Sequence, residues 1–176
     1  MISLPKAIII SGTSRNVGKT TLACNIIDYC SSENTTAIKI SPHKHFDKAD
    51  KNSKIIEWND DYVILQELSS SESRDSSRML AAGANRVYFI MVSDEFLPKA
   101  FDALLKHLDI NNRIIIESAA LRRFVKPKTF IITYTDNNIE TKPKNLDLEQ
   151  HLDFRIKFKD NKFLKDKAEI MISDLL

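Results

Sequence analysis

Gly12-Thr13-Ser14-Arg15-Asn16-Val17-Gly18-Lys19-Thr20 is the stretch on which the reading of this chain turns. Its G-x-x-x-x-G-K-T spacing is that of a phosphate-binding loop, and it takes two of only three glycines in 176 residues. Gly12 lets the backbone turn sharply after a strand. Gly18 lets main-chain N–H groups approach phosphates with no Cβ in the way. Lys19 can then reach the β- and γ-phosphates, and Thr20 can offer its hydroxyl to Mg²⁺. The helix behind them points its positive end at the same anions. Average residue usage produces the pattern by accident in about one chain in a few hundred, so the flanks decide.

The flanks agree with the motif. Before the loop, Ala7 to Ile10 is a short, β-branched apolar run, as a fully buried strand requires. After it, Leu22, Ile26, Tyr29 and Cys30 recur at helical spacing, widened by Ala23 and Ile27. Strand, loop and helix stand in the order a phosphate site needs. The length suits one domain, 1–176, with a sizeable core. A hydrophobic fraction of 43% with 28% charged residues suits a soluble globular protein. The net charge of +2 gives no electrostatic reason to expect nucleic acid or a membrane as partner. The apolar start is shorter than a signal-peptide core, so a cytoplasmic location is expected. Cys24 and Cys30 form no ligand spacing and read as small core residues.

Further along, Thr36 to Ile40 reads as a second strand, followed by a histidine-bearing loop from Ser41 to Asp50. Lys54 to Trp58 and Tyr62 to Gln66 flank the turn-prone Asn59-Asp60-Asp61, which predicts an inserted β-hairpin near 54–66. Ser71 to Ala84 is a helix candidate capped near Gly83, the third glycine. Val87 to Val92, Arg113 to Glu117 and Thr129 to Tyr134 read as buried strands. Leu97, Phe101, Leu104, Leu105 and Leu108 mark a helix opened by Ser93, Asp94 or Pro98. Thr135 to Gln150 reads as a surface loop, and Phe154 to Phe158 as an edge strand. Leu164, Ala168, Met171 and Leu175 fit one face of a last helix. The fold class expected is α/β, with a mostly parallel sheet covered by helices on both faces.

A phosphate loop needs a carboxylate to hold Mg²⁺, directly or through water, at the end of a neighbouring buried strand. Glu117 closes the run Arg113-Ile114-Ile115-Ile116 and answers that description. Asp94 follows Val87 to Val92 in the same way, but helix capping also accounts for it. His43 and His45 follow Lys39 in a loop. They have no third ligand at a recognisable spacing, so phosphate or substrate contact fits them better than zinc. Arg15 can lean over a γ-phosphate or point to solvent. Arg74, Asp75 and Arg78 read as exposed helix ion pairs.

These residues together resemble the SIMIBI class of P-loop NTPases. The loop through Thr21 is similar to that of dethiobiotin synthetases and cobyrinic acid amidases. The middle of the chain looks more like MobB, the nucleotide-binding protein of molybdopterin guanine dinucleotide biosynthesis. Three stretches carry that likeness: Lys39-Ile40-Ser41-Pro42-His43-Lys44-His45; Arg74-Asp75-Ser76-Ser77-Arg78 with Ala81-Ala82-Gly83-Ala84; and Ile114-Ile115-Ile116-Glu117 with Pro127-Lys128. The resemblance covers about the first 135 residues. It implies a single P-loop NTPase domain that binds ATP or GTP with Mg²⁺. Phosphate would be held by Gly12, Thr13, Ser14, Arg15, Asn16, Val17, Gly18, Lys19, Thr20 and Thr21, and the metal by Thr20 and Glu117. Lys39 and His43 would touch phosphate or substrate, and Lys19 and Glu117 would serve catalysis. It also implies a homodimer and a cofactor-biosynthesis enzyme as partner.

The chain departs from these relatives in four places, one of them the hairpin from Lys54 to Gln66, an addition without a match in them. Glu117 precedes Ser118-Ala119, not Gly-Phe. Thr13 stands where dimeric ATPases of the class carry a second lysine. No Asn-Lys-x-Asp guanine-reading sequence occurs; Thr135-Asp136-Asn137-Asn138 is nearest by position, and Asn161-Lys162-Phe163-Leu164 lacks the aspartate. Three functions stay open on this reading: a slow Mg²⁺-dependent ATP or GTP hydrolase assisting cofactor biosynthesis, a small-molecule kinase or ligase like dethiobiotin synthetase, and a nucleotide-stabilised interaction module.

Overall fold

Isoleucine and valine crowd the runs marked as strands because branched side chains pack well on a pleated surface. In the computed structural model, which describes residues 1–42, 52–70, 74–166 and 168–176, these runs become β1 (Ile2–Gly12), β2 (Thr35–Ser41), β5 (Arg86–Val92), β6 (Arg113–Glu117) and β7 (Val125–Tyr134). The hairpin supplies β3 (Ser53–Trp58) and β4 (Tyr62–Glu67). The C-terminal region adds β8 (Phe154–Lys159), β9 (Lys162–Lys165) and β10 (Ala168–Glu169). The helices are α1 (Lys19–Tyr29), α2 (Asp75–Ala81) and α3 (Leu97–Leu105), with 3-10 turns at Ala120–Arg123, Pro143–His151 and Ile172–Leu175.

The ten strands among the described residues form one mixed, mostly parallel sheet in the order β10-β9-β8-β7-β1-β6-β2-β5-β4-β3. Six strands from β8 to β5 run parallel. Antiparallel pairs extend both edges, β4 and β3 at one and β9 and β10 at the other. The expected hairpin therefore exists, and it widens the sheet beyond β5. Alternate residues of the central strands go to opposite faces. Ile9, Ile38, Ile90 and Ile116 pack under Leu97, Phe101 and Leu104 of α3. Ile8, Ile10, Ala37 and Ile115 pack under Leu22, Ile26 and Ile27 of α1 and Met79 of α2. Both faces are thus covered, and Cys30 is buried in the second cluster as a free thiol.

Gly83 closes α2 as its sequence position suggests. Its φ of 104° is left-handed, and the bonds Gly83 N–H to Leu80 O (3.1 Å) and Ala84 N–H to Met79 O (3.3 Å) satisfy the last carbonyls in a Schellman arrangement. Of the helix expected over 71–84, the described part is the seven-residue α2. Pro98 sits in the first turn of α3, whose cap position is Phe96, not Ser93 or Asp94.

The C-terminal expectation is overturned. Asp160 and Asn161 take left-handed φ values of 49° and 62°, which makes a two-residue turn that folds β9 back on β8. Leu164, Ala168, Met171 and Leu175 share no helix face: Ala168 and Met171 are exposed, while Leu175 is buried in a 3-10 turn. Nor is β8 an edge, since it pairs with both β7 and β9. The loop expected over 135–150 holds a 3-10 turn from Pro143 onward. Among the described residues, no helix is long and apolar enough to cross a membrane.

Candidate functional site

The C-terminal ends of β1, β6 and β2, three neighbours in the sheet, converge on one spot. Register places Lys39 of β2 directly beside Glu117 of β6, and Glu117 beside Ile10 of β1. Because Ile10 faces α1, Lys39 and Glu117 face that side too. The first turn of α1 brings Thr20 to them, and the first residue of α2 brings Asp75.

The loop between β1 and α1 is shaped by its two glycines. A Cβ on Gly12 would stand 2.6 Å from Val17 Cγ2 and 2.9 Å from Lys19 Cδ. Gly18 has a φ of 83°, and a Cβ there would meet the Phe158 ring at 2.5 Å. Asn16 is left-handed as well, with φ 58°, a conformation its short polar side chain tolerates. Val17, fully buried, anchors the loop from beneath. The Thr13 hydroxyl bonds Asn138 O at 2.6 Å and so ties the loop to the turn after β7. The Lys19 ammonium arches back to Ser14 O at 2.7 Å. Leu22 N–H makes the first helical bond, to Gly18 O at 2.8 Å. The earlier amides of α1 have no intrahelical acceptor, as at any helix start.

The charged groups form a connected set. Thr20 Oγ1 donates to Glu117 Oε2 at 2.8 Å. Lys39 Nζ bonds Glu117 Oε1 on one side and Asp75 Oδ2 at 2.9 Å on the other. Arg78 Nη1 lies 3.7 Å from Asp75 Oδ1. Glu117 is only 2% exposed, so its charge depends on these partners. Burial takes the Lys19 ammonium out of water and lowers its pKa; Glu117 pulls it back up, while Lys39 and Lys142 push it further down. Burial raises the Asp75 carboxyl, but the hydrogen bonds and charges of Lys39, Thr20 and Arg78 outweigh this and hold it below its usual value.

Around this set lies a cleft of about 640 Å³, within the range of small-molecule sites. Of the residues expected to bind, Arg15, Asn16, Gly18, Lys19, Thr20, Thr21, Lys39 and Glu117 line it. Gly12, Thr13, Ser14 and Val17 build the loop without forming its wall. Among the described residues four cations, Arg15, Lys19, Lys39 and Arg78, face two carboxylates, Asp75 and Glu117, which favours an anionic occupant. His43 and His45 lie outside the described residues. Asp94, exposed and 3.4 Å from Lys144 Nζ, is not part of the cleft.

Sequence reasoning did not assign Asp75, Arg78 or Phe158 to the site, and it set Asn161 aside in a stretch, Asn161-Lys162-Phe163-Leu164, that lacks the aspartate of a guanine-reading sequence. Asp75 was legible only as a helix ion pair, although its partner Lys39 lies 36 positions away. Phe158 and Asn161 reach the cleft because β8 and its turn to β9 lean over Gly18. Among the described residues no group of three or more His, Cys, Asp or Glu side chains could hold a metal unaided. Compared with known proteins, the chain matches no family model and no curated protein.

Proposed function

We propose that this chain is a Mg²⁺-dependent nucleoside-triphosphate-binding protein of the P-loop kind that hydrolyses ATP or GTP slowly and serves cofactor biosynthesis, as its likeness to MobB suggests. One observation carries the reading. A loop whose two glycines admit no Cβ presents Lys19, while Thr20 and Lys39 are held on the buried Glu117 at the ends of adjacent parallel strands.

The donor set suits Mg²⁺ shared with a substrate. This ion takes one or two carboxylates, completes its shell with water and phosphate oxygens, and does not need an all-protein cage. Thr20, Glu117 and Asp75 would hold it, and the Lys39 ammonium now lies between the two carboxylates as an internal cation. When bound, the metal would neutralise charge on the β- and γ-phosphates. Lys19 would leave Ser14 O for a phosphate oxygen, and Lys39, once released from the carboxylates, would face the γ-phosphate. Glu117 would orient the metal-side water. Where β8 and its turn lean over Gly18, the Phe158 ring and the Asn161 amide would offer stacking and hydrogen bonding to a base.

A second reading, phosphoryl transfer to a small acceptor as in dethiobiotin synthetase, draws on an adjoining cleft of about 390 Å³. It shares Lys39, Ser41 and Asp75 with the first and adds Arg74, Ser76 and Phe89. Incubation with ATP or GTP and Mg²⁺, followed by product separation, tests both readings. Slow diphosphate formation that stops in Glu117→Gln supports hydrolysis, and acceleration by one metabolite of a library supports the acceptor. Bound triphosphate that survives intact contradicts both and leaves an interaction module.

A further inference from the structure

The hairpin β3–β4 is the element for which the nucleotide reading gives no use, and its last residue, Glu67, is a buried carboxylate at 2% exposure. Glu67 Oε1 accepts from Ser76 Oγ at 2.8 Å, and Oε2 accepts from Arg74 Nη2 at 3.1 Å. Arg74 also reaches Ser53 Oγ of β3 at 3.5 Å. Ser76 and Arg74 are the two neighbours of Asp75, the residue that holds Lys39 from the α2 side.

A seven-residue helix is too short to hold its own geometry and takes it from its anchors. The C-terminal end of α2 is fixed by the fully buried Met79 and by the Gly83 cap. At the N-terminal end, Ser77 Oγ accepts the Arg74 N–H at 3.2 Å, which is a bond within the same turn. Glu67 ties that turn to the end of β4, beside the bonds from Arg74 to Ser53 of β3 and from Lys39 of β2 to Asp75. With its carboxylate at the end of β4 and bonds to the residues on both sides of Asp75, Glu67 sets where the Asp75 carboxylate stands relative to Lys39 and Thr20.

We propose that Glu67 is a positioning residue for the metal side of the cleft, and that the hairpin's role is to hold Asp75 there through Ser76 and Arg74. This rests on the Mg²⁺-nucleotide reading. Partners that orient metal ligands typically change metal affinity by about 10–100-fold when removed. The test is a Mg²⁺ titration of nucleotide binding in the full chain, alongside melting temperature and nucleotide affinity in EDTA. Glu67→Gln keeps an acceptor for Ser76 but removes the charge facing Arg74. It is expected to raise half-saturating Mg²⁺ about tenfold and leave metal-free nucleotide affinity unchanged. Ser76→Ala, which keeps the Glu67–Arg74 pair, is expected to raise it by a smaller factor and covers the case in which Glu67→Gln does not fold. On an Asp75→Asn background neither change should add to the effect of Asp75→Asn alone. Variants that melt earlier but keep wild-type Mg²⁺ dependence would show Glu67 to be a structural brace and overturn the proposal. An undiminished effect without the Asp75 carboxylate would overturn it too. Failure of the underlying reading looks different: the wild type itself would show no Mg²⁺-dependent binding, and both would fall.

Discussion

Gly18→Ala probes the loop without any ligand. A side chain at φ 83° enters the left-handed region, at a cost of about 1–2 kcal/mol. Its Cβ would also lie 2.5 Å from Phe158 Cγ and 2.8–2.9 Å from both Cδ atoms. The ring also packs on Phe163, centroid to centroid 5.0 Å, so moving it disturbs a second contact. Overpacking of this kind costs about 1–3 kcal/mol. The sum is about 2–5 kcal/mol, or roughly 5–20 °C in melting temperature for a domain of this size. Denaturant unfolding of the ligand-free variant measures it. Phe158→Ala separates the two parts: in that background Gly18→Ala should cost only the backbone part, about 1–2 kcal/mol. Additive losses, or a neutral Gly18→Ala, would refute the assigned contact between the loop and β8.

Three further outcomes are expected. Lys39→Met leaves the buried Glu117 carboxylate without its cation and should destabilise the metal-free protein by about 3 kcal/mol. Added Mg²⁺ should raise the variant's melting temperature more than the wild type's, and equal shifts would argue against a metal position between Glu117 and Asp75. Phe158→Ala should weaken ATP or GTP binding while leaving inorganic tripolyphosphate unaffected; parallel losses by calorimetry would remove Phe158 from base contact. Since the Lys19 pKa lies below its usual 10.5, phosphate binding should restore the proton there. Affinity should fall and proton uptake appear as pH rises through the lowered pKa. The same shift makes ligand-free stability rise between that pKa and 10.5, because the unfolded chain still binds the proton there. Calorimetry in buffers of different ionisation enthalpy reads the uptake, and a pH-independent affinity would contradict it.

The central sheet was legible because its strands are short runs of Ile and Val, and α1 and α3 because their apolar residues keep a helical period. Glu117 could be found for a related reason, as a carboxylate ending a run too apolar to reach water. Leu164 to Leu175 misled because spacings of four, three and four satisfy a helix, while the turn that decides otherwise, Asp160-Asn161, carries no glycine. With β8 read as an edge strand and its turn to β9 unread, nothing indicated that Phe158 and Asn161 lean over Gly18 into the cleft. Asp75 was opaque for another reason. Its partner Lys39 lies on β2, against which α2 packs, and no local spacing encodes a contact across 36 residues. Glu67 ends an ordinary strand, and only the fold shows that both its oxygens are taken by the neighbours of Asp75.

Calorimetric titration of the wild-type chain and Lys19→Ala with non-hydrolysable ATP and GTP analogues in Mg²⁺ tests the central claim most directly. Micromolar binding of at least one analogue is predicted, weakened by roughly tenfold or more when the ammonium that bonds Ser14 O is removed, as expected for a lost charge-assisted contact. Equal affinity in the two proteins, or no binding by either, would contradict the account.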